Sequence, residues 1–188
     1  MVILGIDPGT LITGYGVIET ASGAGGAIRV VEYGTIESKK ISTLPLRLKT
    51  IFTRLGAVIE RAAPDELAIE TAFYHKNVQS TLKIGHARGV AILAGTLREI
   101  PASEYAPREI KRAVVGNGNA SKDQVEYMVR RLLKLPAGDK KLPDAYDALA
   151  VALTHASRLA KPTNGPTTKA KASSWKQFVE SNPDRVKR

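Results

Sequence analysis

Residues 1–10 place a carboxylate at the end of a strand with no solvent-facing side. Val2 to Ile6 is a short apolar run without alternation, the pattern of a strand buried on both faces. It stops at Asp7-Pro8-Gly9, a turn in which proline sets φ and glycine supplies a positive-φ position. A second apolar run, Tyr15 to Ile18, comes at once. The chain therefore opens as a central strand in a hairpin, with Asp7 fixed where the strand ends. Taken alone, Asp7 reads most simply as the cap of its own turn. Acidic residues further along the chain shift that reading.

A Gly-rich turn, Ser22 to Gly26, leads to a third run, Ile28 to Ile36, and three strands joined by short turns make an antiparallel meander. From Leu44 to Ala63, Leu48, Ile51, Phe52, Leu55, Ile59 and Ala62 recur on one stripe, which predicts a helix stopped by Pro64. Leu67 to Ile69 is another short buried strand, with Glu70 at its carboxyl end. A strand–helix–strand crossover favours parallel pairing, so this strand is expected beside the first, bringing Glu70 near Asp7. Val78 to Arg98 predicts a long helix, apolar nearly all round from Gly89 to Leu97 and so expected to be buried on more than one side. Gly85 and Gly89 on it would permit close approach of a neighbour. Ala102 to Tyr105 predicts a last strand, giving an α/β fold with a mixed five-stranded sheet flanked by helices. Pro107 opens a short helix carrying Lys111 and Arg112. Ser121-Lys-Asp-Gln124 is a capping box for a helix to about Lys134. After a basic loop from Pro136 to Leu142, a final helix runs from Pro143 to about Leu159.

Composition narrows the class. The 188 residues suit one cored domain, no apolar run reaches the roughly 18 residues that cross a bilayer, and no secretory signal is evident. There is no cysteine, which excludes disulfides, thiolate metal sites and cysteine nucleophiles and is compatible with a cytoplasmic location. The net charge is +10. Residues 161–188, rich in Pro, Thr, Lys, Ala, Gly and Ser, contribute seven Lys/Arg against two Asp/Glu. They read as a disordered basic tail beyond a domain spanning 1–160, with Trp175 as an incidental aromatic or part of a docking face. A basic surface on no single amphipathic helix points to a polyanion, most simply nucleic acid, rather than a membrane.

Acidic residues then fall where catalysis would need them. In Pro143-Asp144-Ala-Tyr-Asp147 the two aspartates stand three residues apart and share a helix face. Acidic residues in a first turn also complement the helix dipole. The apolar helix behind them, however, aims this pair at the sheet edge. Asp7, Glu70, Asp144 and Asp147 converging would repel unless cations neutralised them, and oxygen-only ligands favour Mg²⁺ or Mn²⁺ over zinc. Two such ions suit phosphodiester hydrolysis. His155, eleven residues after Asp144, lies about 16 Å along the helix and is expected in the core or an interface. His75 and His86 are expected on a loop and a helix surface.

The ordered motifs Gly5-Ile-Asp-Pro-Gly-Thr10, Glu70-Thr-Ala-Phe73, Lys76-Asn77, Gly85-His-Ala-Arg-Gly89, Ser121-Lys122-Asp-Gln-Val125 and Asp144-Ala-Tyr-Asp-Ala-Leu149 resemble the RuvC family of Holliday-junction resolvases over residues 1–160. The resemblance implies an RNase H-like fold and Mg²⁺-dependent, symmetric cleavage of two like-polarity strands of a four-way junction by a homodimer, alongside the RuvA–RuvB branch-migration complex. Position by position, it implies metal-binding catalytic roles for Asp7, Glu70, Asp144 and Asp147, with Mn²⁺ a possible substitute for the two Mg²⁺. It implies DNA stacking by Phe73, DNA contact and catalytic assistance by Lys111 and Lys122, and backbone contacts by Lys76, Asn77 and Arg88. The long helix from Val78 is then expected in the dimer interface. Three alternatives stay open on the residues themselves: an actin-like ATPase sharing the Asp-x-Gly-Thr loop, which needs a second lobe; another RNase H-like nuclease; and a non-catalytic junction-binding protein.

Overall fold

The computed structural model describes residues 1–21, 27–71, 78–136 and 142–160. Outside them lie the turn at 22–26, the candidates Phe73, Lys76 and Asn77, His75, most of the basic loop before Pro143, and the tail with Trp175. Among the described residues, β1 (Val2–Asp7), β2 (Ile12–Thr20), β3 (Ile28–Glu37), β4 (Glu66–Glu70) and β5 (Ala102–Tyr105) form one sheet in the order β3-β2-β1-β4-β5. The meander β1-β2-β3 is antiparallel, and β4 and β5 join β1 in parallel, as the crossover pattern predicts. Sheet and helices form a single α/β unit, with no second lobe of the kind an actin-like ATPase needs among the described residues.

Helices cover both faces because alternate strand residues need apolar partners on both sides. Leu4, Ile6, Val17, Leu67 and Ile69 pack beneath α1 (Leu44–Ala62) and α2 (Val78–Thr96). Ile3, Ile18 and Ala68 face the opposite layer, α3 (Pro107–Val115), α4 (Lys122–Leu132) and α5 (Pro143–Ala160). The period-two pattern puts Asp7 on the same face as Ile3, and Glu66 and Glu70 on the same face as Ala68. α1 ends where Ala63 turns left-handed, at φ 43°, just before Pro64.

Two features of α2 differ from expectation. Its apolar sequence predicts burial on several sides, yet within one chain it buries a narrow stripe of Ala87, Ala91 and Ala94. Leu82 and Leu93 remain 59% and 49% exposed, and Leu97 just past the helix end 63%. Gly85 and Gly89 face open space, and the close approach falls instead at Gly95, whose absent side chain admits Leu67 of β4. Hydrophobicity reports that a face avoids water, not whether its own chain or another covers it.

Candidate active site

Two strand ends and one helix start meet at the carboxyl edge of the sheet. Asp7 is the last residue of β1, and the turn after it is braced by Thr13, whose hydroxyl donates to the Gly9 carbonyl at 2.7 Å. Glu70 ends β4 next door, held by the Thr71 amide donating to the Tyr105 carbonyl of β5 at 2.8 Å. Asp144 and Asp147 occupy the first turns of α5.

What brings α5 onto this edge is the absence of side chains beneath it. Gly5 and Gly16 are cross-strand partners, and Gly14 is the partner of Asp7. A Cβ at Gly5 would lie 2.1 Å from the Ala148 carbonyl oxygen, one at Gly14 1.9 Å from that of Asp144, and one at Gly16 2.7 Å from the Leu149 side chain. These glycines let the helix backbone rest directly on the sheet. As a result, Asp7, Asp144 and Asp147 each present a carboxylate oxygen within 4.8 Å of the others. Glu70 stands beside this trio, lining the same two clefts as Asp7.

Electrostatics records the crowding. Burial first, then the charges of Glu70, Asp147 and Asp144, hold Asp7 well above the usual carboxylate range. Burial and then Asp147 push Glu70 up to about 7, against the lowering charges of Lys122 and Lys111. Asp147 is also raised by burial, although Lys122 donates to it across 2.6 Å. Burial pulls the Lys122 ammonium down, but its hydrogen bond to Asp147 and the charges of the acidic cluster outweigh this and raise it. Lys122 is placed by the predicted capping box: Ser121 and Gln124 satisfy one another's amides at the start of α4. Lys111 of α3 lines both clefts from the other side. The donor set fits a hard divalent cation, being all carboxylate oxygen, with Asp7, Glu70 and Asp147 raised in proton affinity chiefly by burial.

Other candidates stand elsewhere. Arg88 of α2 pairs with Glu104 of β5 at 3.0 Å. His155 is buried, as expected of a core residue, its Nε2 hydrogen-bonded with Glu66 at 2.6 Å and its Nδ1 with the Tyr105 hydroxyl at 2.6 Å. His86 is exposed on α2. Arg108, Asn119 and Thr71, not singled out from the sequence, line the larger cleft, of about 600 Å³. The one available signal was that Arg108 precedes Lys111 by three residues and so shares its helix face.

This sheet order with an acidic centre on its two adjacent parallel strands defines the class: an RNase H-like α/β domain built around a carboxylate site. The family model for crossover junction endodeoxyribonuclease RuvC matches residues 3–155, and the chain belongs to the RuvC family. A crossover junction endodeoxyribonuclease RuvC from Porphyromonas gingivalis is 44% identical over 191 residues, covering 99% of this chain and 97% of that one. Its counterpart from Bacteroides fragilis is 44% identical over 187 residues, covering 99% and 96%. Among solved structures, T. thermophilus RuvC in complex with a Holliday junction substrate superposes with a TM-score of 0.77 at 31% identity, covering 85% of this chain and 95% of that one.

Proposed function

We propose that the protein is a structure-selective endonuclease that resolves Holliday junctions by metal-dependent hydrolysis of phosphodiester bonds in two strands of like polarity, in recombination and DNA repair. The observation that carries this is the convergence of three aspartates within 4.8 Å, beside Glu70 and between Lys111 and Lys122, in a chain of the RuvC family.

Asp7, Glu70, Asp144 and Asp147 would hold two Mg²⁺ ions, with Mn²⁺ an acceptable substitute. When bound, these ions supply an activated water and stabilise charge on the leaving oxygen. The chain's own contribution is placement. Strand ends and a helix resting on glycine fix the four carboxylates from three elements, so little reorganisation remains when substrate arrives. Lys122 and Lys111 flank the acids and offer ammonium groups to a phosphate that bare carboxylates would repel. Phe73 stands three residues after Glu70, a position suited to stacking on an unpaired base, and Lys76, Asn77 and the partly exposed Arg88 add backbone contacts. The tail from Lys161 adds non-specific attraction outside the nuclease domain of residues 1–160.

The functional unit in this reading is a cytoplasmic homodimer. Leu82 and Leu93 with Gly85 and Gly89, continued by Leu97 just past the helix end, leave α2 exposed on an apolar stripe that a second copy would cover, and a two-fold dimer mirrors the symmetry of a four-way junction. Coupling to the RuvA–RuvB branch-migration complex belongs to the same reading, on family resemblance.

The deciding experiment compares a four-way junction, linear duplex and RNA–DNA hybrid of one sequence, with Mg²⁺ and with EDTA. Paired nicks in the junction alone, abolished by EDTA, are expected. Preferential hybrid cleavage would make the protein a general RNase H-like nuclease. Junction binding without cleavage in Mg²⁺ or Mn²⁺ would make it a structural binder.

A further inference from the structure

The space around the acidic cluster has two lobes. A smaller cleft, about 240 Å³, contains Asp147 and Lys122. The larger shares Asp7, Glu70, Pro107 and Lys111 with it, then runs past Thr71 and Ile84 to Arg108, Gly118 and Asn119. Its carboxylates all belong to the shared lining, whereas Arg108 lines only the larger cleft.

Arg88, Arg98 and Arg158 each pair with a glutamate, whereas Arg108, like Arg112 one turn on, has no ion pair or side-chain hydrogen bond among the described residues; Arg108 is the one of the two that lines the cleft. The acid next to it, Glu109, turns away to Arg158. Its stem is nonetheless fixed. A Cβ on Gly118 would lie 2.7 Å from Arg108 Cγ and 3.2 Å from its Nε, so the side chain lies along the bare backbone of that loop. The loop is itself braced: Gly116 takes φ 85°, and Asn117 accepts the Asn119 amide on its Oδ1 at 3.0 Å. An exposed arginine held by its stem, with its head free beside an asparagine, is a ready donor pair for a phosphate.

We propose that Arg108, seated on Gly118 and flanked by Asn119, holds the phosphate adjacent to the scissile one and so positions the cut strand along the larger cleft. This deepens the nuclease reading and rests on it. Arg108 is a positioning residue: it touches the substrate backbone but no reacting atom. With Lys111 it makes a cationic row leading away from the carboxylates, which gives the strand one direction of entry.

The test is single-turnover cleavage of saturating four-way junction by the full chain in Mg²⁺, using wild type, Arg108→Ala, Arg108→Lys and Gly118→Ala. Each meets junctions with ordinary phosphates or with one neutral methylphosphonate at a position flanking the cut. Losing a charge-assisted contact is expected to slow Arg108→Ala about 10–100-fold. Wild type should lose a similar factor on the methylphosphonate at one flanking position, where Arg108→Ala should lose nothing further. Arg108→Lys should recover only partly, because an ammonium cannot make the planar fork. Gly118→Ala keeps the guanidinium but displaces it, and should fall in between. Wild-type rates in Arg108→Ala, or losses that multiply at every flanking position, would overturn the proposal. If circular dichroism shows Arg108→Ala unfolded, Arg108→Lys and Gly118→Ala decide by the same non-additivity. Wild type that cuts no junction would instead overturn the nuclease reading beneath it.

Discussion

A buried carboxylate crowded by others resists ionising, and Asp7, Glu70 and Asp147 at the sheet edge turn this into measurable behaviour. Asp7→Asn, Glu70→Gln, Asp144→Asn and Asp147→Asn should each lower junction cleavage by on the order of 10³-fold while leaving junction binding intact or tighter, in gel-shift and cleavage assays run together. Tighter binding is expected because each change removes negative charge facing phosphate. Proton linkage gives a second check. Glu70, pushed up to about 7 by burial and by Asp147, binds its proton more tightly in the folded chain than in the unfolded one, and raised Asp7 acts in the same sense. Metal-free protein is therefore favoured at low pH and loses stability as pH rises through about 7, by roughly 3 kcal/mol for Glu70 alone. Melting curves in EDTA should shift down by several degrees between pH 5.5 and 8, and Mg²⁺ should restore more at the higher pH, because ligands must deprotonate to bind. A flat EDTA profile would remove the buried-cluster explanation.

At the scale of elements, the site depends on how closely α5 lies on β1 and β2. Gly5→Ala places a methyl 2.1 Å from the Ala148 carbonyl oxygen, so it should destabilise the fold by about 1–3 kcal/mol or more in urea titration and reduce cleavage as the helix lifts. His155→Leu removes one buried partner each from the Tyr105 hydroxyl and from Glu66, at about 1–3 kcal/mol, and should lower the urea midpoint with a smaller effect on cleavage rate. Much of this arrangement was legible in the sequence. Val2–Ile6 and Leu67–Ile69 read as doubly buried strands because they do not alternate, and the crossover between them implied parallel pairing, which placed Asp7 beside Glu70. The aspartates of α5 were legible from three-residue spacing on an apolar helix. The reach of Arg108 was not, because a lone arginine on an amphipathic helix has the same local pattern whether it meets solvent or a cleft. The close approach at glycines 5, 14 and 16 was not legible, since it depends on a helix more than 120 residues further along. Helix ends shifted by a residue or two, α2 stopping at Thr96 and α4 at Leu132, which is ordinary fraying.

For the molecule as a whole, the uncovered leucines of α2 are the feature that one chain does not explain. Leu82→Lys with Leu93→Lys should convert a dimer to a monomer in sedimentation velocity and uncouple the two nicks of a junction, leaving single-cut products; an unchanged sedimentation coefficient would place the dimer contact elsewhere. α5 brings polar groups to the sheet at each end of its run. Its acid pair crowds Asp7 at one end, where the carboxylates repel, and its histidine is hydrogen-bonded to Glu66 at the other. Eleven helical residues cover about 16 Å, and the strand interval from Glu66 to Glu70 about 13 Å. The helix therefore serves as a gauge. Inserting one residue between Ala150 and Val151 turns one end by about 100° relative to the other, so a chain that keeps its histidine seated must swing its aspartates away from Asp7.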